Sequence, residues 1–351
     1  MTKSFLRTMT TVGIGACMPM LLVFGQDPVA PQAQKKERPK RAPRTGVSDP
    51  AVKKEMASIT PATVFPVPGT PDWQVITDEA VWVSNAPKNT IHRLDPKTNE
   101  VTATIEVGKR PCSGLAAGFG SIWVPVCGDR PNVENGVKPS LARVDIKTNA
   151  VVASLPLAAV NSEGGLIASP DAVWMLTDPK GILSRIDPKT NKVTAEIEVA
   201  PGSVSCVYGE GAIWVSSPEK SVLTRVDPKT NKATDTIAVG PGPRFLTVGA
   251  GAVWTLNQGD GTLSRVDMKT RKLVTNIDLG IPGTGGELAF GDGHVWATVA
   301  QVPITKIDPE TNKVVKQWMG AGGDSLRIGH GSLWLSNLSQ GNVWRIDLKT
   351  M

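Results

Sequence analysis

Apolar residues in this chain do not recur at helical spacing. From about residue 61 onward they fall on alternate positions in short runs rich in Val, Ile and Thr, separated by turns of Gly, Asp, Asn and Pro. A period of two marks half-buried β-strands, and no stretch carries the 3.6-residue period of an amphipathic helix. The runs come in sets. Each set holds a glycine-containing turn, an apolar residue followed by Trp, a polar turn, and an alternating run ending in Arg/Lys-Val/Ile/Leu-Asp. The tryptophans are Trp82, Trp123, Trp174, Trp214, Trp254, Trp296 and Trp334, spaced by 41, 51, 40, 40, 42 and 38 residues. Five of the seven Trp-to-Asp intervals are 13 residues, so the repeat is one of structure as well as composition.

The third set shows how each unit divides. Strands are expected at 165–168, 172–176, 183–186 and 193–199. Between the last two lies Asp187-Pro188-Lys189-Thr190-Asn191. Proline fixes φ there, while Asp and Asn bond their own backbone and tolerate left-handed geometry. Four strands at a period near 40 residues define a propeller blade. The expected fold is therefore all-β: a seven-bladed β-propeller of four-stranded blades spanning 61–351. The last set stops after its third strand, and Ala62-Thr63-Val64-Phe65-Pro66-Val67 resembles a fourth strand standing before the first set. The N-terminal strand is expected to complete the last blade and close the ring.

The seven repeated tryptophans sit on second strands, where large rings fill the gaps between blades. Trp73 lies outside that register, at the start of an innermost strand, and is expected to reach the central mouth. The loops leading into the first strands share that face with the loops leaving the second strands. They carry Asp72, Glu163, Arg244, Glu287 and Asp324, while Asn85, Asn257 and Asn337 follow three residues after a repeat Trp. These positions depart from the repeat where a ligand face would diversify. Carboxylate and amide oxygens suit a hard cation such as calcium or magnesium. The four carboxylates Asp72, Glu163, Glu287 and Asp324 and the three amides could project toward one opening. Arg244, with Arg110 as a second candidate, could pair with these acids or clamp an anion, and Trp73 could stack on a ligand.

Charge changes the picture only at the ends. The formal net charge is +6, yet residues 61–351 carry 28 ionisable residues of each sign. The excess resides in a leader expected over 1–25, with Lys3 and Arg7 before an apolar stretch, and in a basic, proline-rich tether expected over 26–60. That leader implies an exported, periplasmic or secreted protein. The neutral body argues against a nucleic-acid partner, and no segment reads as a transmembrane span. A small molecule or an envelope protein is the expected partner, and a monomer the expected state. Cys112 and Cys127 fall on two loops of one blade, which makes a disulfide geometrically reasonable and would pin the long loop 128–139; Cys206 lies on an innermost strand as a buried thiol. The three histidines stand away from the acids, which excludes a Ser-His-Asp triad or a histidine-rich zinc site.

The Ile/Val-Trp, Arg-Val/Ile-Asp-Pro-Lys-Thr-Asn and Val-Gly-Pro pattern resembles the YVTN-type and streptogramin lyase-like (virginiamycin B lyase-like) propellers over about residues 61–351. That resemblance implies the fold, and in the lyases a magnesium-assisted elimination that opens a cyclic depsipeptide lactone. The lyases place histidines on leading loops and a glutamate after a blade tryptophan. Here the leading loops hold no histidine, and asparagine follows Trp82, Trp254 and Trp334 at the third position. The acids and asparagines also resemble those of gluconolactonase-like propellers, which implies a divalent cation under a lactone carbonyl, with Glu163, Glu287 and Asn257 as its ligands and Asp324 or Asp72 as the base. The expected function is a ligand-binding or protein-interaction module acting through the upper central face. The alternative is a metal-assisted lactone or ester hydrolase, or a lyase-like enzyme.

Overall fold

The computed structural model describes residues 44–130 and 133–351. The leader and the first part of the tether lie outside the described residues. Among those described, the strands form seven antiparallel sheets, with one additional parallel strand. Blade 1 comprises Pro71–Ile76, Val81–Asn85, Thr90–Asp95 and Glu100–Glu106. Blade 3 comprises Leu166–Ala168, Val173–Asp178, Ile182–Asp187 and Lys192–Glu198, close to the expected boundaries. Innermost strands contact one another in sequence around the ring. Ser325–Gly329 of blade 7 touches Pro71–Ile76 of blade 1, so the circle is complete. Thr63–Pro66 pairs antiparallel with Asn342–Asp347, supplying blade 7 with its fourth strand as expected.

Burial follows depth in the blade. Second strands such as Ser121–Val126 and Ala252–Asn257 are buried at every position, because neighbouring blades cover both faces. Fourth strands such as Lys192–Glu198 are mostly exposed, with Ile197 turned inward. All seven repeat tryptophans are at most 1% exposed. The indole N–H of Trp123, Trp254, Trp296 and Trp334 donates to the carbonyl five residues earlier, and Trp82 and Trp174 donate to Thr77 and Ser169 hydroxyls. Each ring therefore fills the interblade gap, and six of the seven also tie down the turn before their own strand, the Trp214 indole N–H having no such partner among the described residues.

The repeated Arg and Asn have a joint task. Arg143 of blade 2 stacks on Trp123 at 4.8 Å and donates to Pro188 O at 2.5 Å and Asn191 Oδ1 at 3.0 Å, in the hairpin of blade 3. Arg93, Arg265 and Arg345 reach the hairpins of blades 2, 6 and 1 in the same way. Asn99, Asn149, Asn191 and Asn312 occupy the left-handed region, which Asn tolerates better than most side chains. The clasp from Arg345 to Asn99, at 2.8 Å, crosses the seam between blades 7 and 1.

Residues 44–60, assigned by composition to the tether, lie along blade 6. Lys53–Glu55 pairs in parallel with Gln317–Met319 as a fifth strand, and Met56 is buried beside it. Cys112 and Cys127 form a disulfide with Cα atoms 5.9 Å apart. Cys206 is buried, which pushes its thiol well above its usual range. None of the described helices is long and apolar enough to cross a membrane.

Candidate functional site at the central mouth

Two β-bulges shape the mouth. Pro71 pairs with Asn85 and Gln74 with Val83, so Asp72 and Trp73 oppose Ser84 alone. In blade 5, Pro243 pairs with Asn257 and Phe245 with Leu256, leaving Arg244 as the extra residue. A bulge bends the strand and re-aims its side chains. Here the two bulges bring Asp72, Trp73 and Phe245 to one cavity of about 180 Å³. Its other walls are Ser162 and Glu163 before blade 3, Gly285–Gly286–Glu287 at the start of blade 6, and Asp324–Ser325 at the start of blade 7. Trp73 and Phe245, with ring centroids 6.1 Å apart, also border a second cavity of about 70 Å³ further along the innermost strands. The two rings thus form the floor of the upper cavity.

The four carboxylates are not equivalent. Arg244 Nη2 pairs with Glu163 Oε1 at 2.6 Å. Glu287 is buried; it pairs with Arg327 and accepts from the Ser325 hydroxyl and from Leu326 N at 3.3 Å. Burial pushes the Glu287 carboxyl upward, with Arg327 and the hydroxyl opposing. Among the described residues neither Asp72 nor Asp324 forms a salt bridge, and the two carboxyls share a side-chain hydrogen bond. Burial first, then the Asp324, Glu287 and Glu163 charges, lift Asp72 well above the usual carboxylate range. Burial and Glu163 also raise Asp324, opposed by the Asp72 bond and by Arg44. Two close buried carboxyls cannot both ionise cheaply, so the pair retains a proton that one acid alone would lose.

The structure brings Asp72, Trp73, Glu163, Glu287 and Asp324 together and sets Arg244 against Glu163. Asn257 is not brought to them. Its Nδ2 donates to Thr262 Oγ1 and Ser264 Oγ, both at 2.8 Å, inside blade 5. Asn85 and Asn337 serve the same architecture: Asn85 Oδ1 accepts from Thr70 N, and Asn337 Oδ1 from Gly323 N. These asparagines staple the loop that leads into their own blade. Asn257 Oδ1 is itself buried without a hydrogen-bond partner among the described residues, while Glu163 and Glu287 are each paired with an arginine. Among the described residues no group of three or more His, Cys, Asp or Glu side chains is disposed to hold a metal ion.

Sequence reasoning missed Arg327 and Arg44. Arg327 carried a signal, since the matching positions Val207, Thr247 and Ala289 bear no charge. Arg44 carried none, sitting in a stretch of basic and proline residues. Arg110 faces a different opening. That opening, of about 740 Å³, is bordered by the 128–139 loop and meets the acidic cavity at Ser162.

The molecule is thus a closed seven-bladed propeller with an acidic, aromatic-floored mouth. No protein-family model matches the chain, and no curated protein matches it. Among solved structures, a streptogramin B lyase superposes with a TM-score of 0.65 at 17% identity, covering 81% of this chain and 96% of the lyase chain. A chain of Kuenenia stuttgartiensis hydrazine synthase superposes with a TM-score of 0.66 at 13% identity, covering 80% and 96%. At these identities the likeness is one of fold alone.

Proposed function

We propose that this propeller is a ligand-binding module whose mouth receives a small organic cation, an ammonium group carried by a small molecule or a polypeptide end. The observation that carries this reading is the acid pair Asp72–Asp324 above the Trp73 and Phe245 rings, within a cavity of about 180 Å³. Arginines neutralise Glu163 and Glu287, which leaves the aspartate pair as the variable charge. A bound cation stabilises its doubly ionised form and expels its proton. Aromatic faces attract ammonium groups through their quadrupole, by about 0.5–2 kcal/mol. The expected export of the chain places the module in the cell envelope or outside it.

Calorimetric titration with tetramethylammonium, methylammonium, calcium and magnesium tests the reading. Saturable binding of an ammonium ion, lost in Asp72→Asn and in Asp324→Asn, is the expected result. Binding of calcium or magnesium alone would overturn it and favour the metal-centred alternative. The absence of binding by all four probes would turn the search to partners of the 128–139 loop.

A further inference from the structure

We infer that the segment 44–47 braces the mouth and that Arg44 is the positioning residue for its glycine-rich wall. The wall is the connection from blade 5 to blade 6, Leu279 to Gly286. Gly283, Gly285 and Gly286 have φ of +102°, +92° and +101°, backbone that has no side-chain packing of its own to stiffen it. A Cβ on Gly286 would lie 2.0 Å from Thr298 O, so the close approach to blade 6 excludes any larger residue there.

Arg44 supplies what the glycines lack. Its Nε donates to Pro282 O at 2.9 Å, Nη2 to Thr284 O at 2.5 Å, and Nη1 to Ala300 O at 2.9 Å. One planar group thus spans the wall and the turn after Val299. A guanidinium presents this rigid fork of donors and an ammonium does not. The strap is anchored beyond Arg44 as well. Gly46 N donates to Gly280 O at 3.1 Å, Val47 N to Gln317 Oε1 at 2.9 Å, and Gln317 Nε2 returns to Leu279 O at 3.0 Å. The inference deepens the ligand reading above and rests on it only for the affinity measurement.

Arg44 also has an electrostatic effect on the pair. Asp324 is faced by Asp72 from blade 1, by Glu163, itself held by Arg244, and by Glu287, itself held by Arg327. The Arg44 charge opposes these acids and favours the ionised form of Asp324.

The test uses the full chain with Arg44→Lys, which keeps the charge and loses the fork, and Arg44→Ala, which loses both. Lys54→Ala, at an exposed position of the same strap, is the control. Amide exchange across 280–287 is expected to quicken on the order of ten-fold in both Arg44 variants, with the blade 5 strand Ala252–Asn257 unchanged and the control like the parent. The carboxyl resonance of Asp324 is expected to titrate at higher pH in Arg44→Ala and at the parent value in Arg44→Lys. Tetramethylammonium affinity is expected to fall on the order of five-fold in Arg44→Lys, as a preorganised wall is lost. Parent-like exchange of 280–287 in both Arg44 variants would overturn the inference. If the parent fails to bind tetramethylammonium, the ligand reading falls, while exchange and titration still decide the role of Arg44.

Discussion

At Asp72 burial and neighbouring carboxylates push an acid above its usual range, and the cost of doing so has a definite sign. A carboxyl raised in the folded state favours folding below its unfolded pKa. That advantage is lost as pH rises through the raised folded value, because the unfolded chain ionises first. The hairpin acids Asp95, Asp145, Asp187, Asp227, Asp267 and Asp308 behave oppositely. Backbone N–H donors hold each below the usual range, so their stabilisation is lost as pH falls. Comparing Asp72→Asn with the parent cancels the hairpins. The variant keeps a donor toward Asp324 and is expected to be about 1–2 kcal/mol more stable at pH 8, with little difference at pH 3.5. Thermal melts at the two pH values measure this. A variant no more stable than the parent at pH 8 would mean that the Asp72 carboxyl is not raised in the folded state. Ammonium affinity in the parent should rise with pH over the same window, since binding releases the shared proton.

Between residues and ring stands the blade-to-blade clasp, and it marks the limit of what the sequence discloses. Arg-Val-Asp and Pro-Lys-Thr-Asn are visible as motifs, and they located the third strands and hairpins correctly. Their partnership is not visible, because Arg143 serves an Asn 48 residues away in the next blade. The partners of Asn257 were hidden for a related reason. Its position after Trp254 put it on the correct face, yet Thr262 and Ser264 claim its amide from within the blade. The acids were legible because they broke the repeat, and the bulge that turns Asp72 inward became visible only in the register. Arg143→Ala removes a stacked guanidinium and two bonds to blade 3, and is expected to cost about 1–3 kcal/mol. Among the described residues the Arg225 guanidinium reaches Thr234 and Asp235 in its own blade and no other blade, so Arg225→Ala is expected to cost less than about 1 kcal/mol. Urea titrations of both would decide it, and equal losses would remove the interblade role.

Open arrays of repeats unfold from their ends, since stability is a sum of units and nearest-neighbour interfaces. A ring has no end unless its seam opens, so the behaviour of the whole molecule depends on the closure of blade 7. Thr63–Pro66, the Arg345–Asn99 clasp and the contact of Ser325–Gly329 with Pro71–Ile76 hold that seam. Phe65 is its apolar centre: it is 1% exposed, with its ring centroid 5.5 Å from that of Trp334. Val64, on the same strand, faces outward at 48% exposure. Phe65→Ala is expected to cost about 3–5 kcal/mol, and Val64→Ala under about 1 kcal/mol. If closure makes the ring cooperative, Phe65→Ala should also broaden urea unfolding, as blades 7 and 1 separate before the rest. Exchange of amides in Asn342–Asp347 should then quicken ahead of those in blade 4, Ser205–Ala238. Equal protection of both blades in Phe65→Ala, with a single sharp transition, would show that the ring holds without this latch and that the interblade tryptophans carry the cooperativity instead.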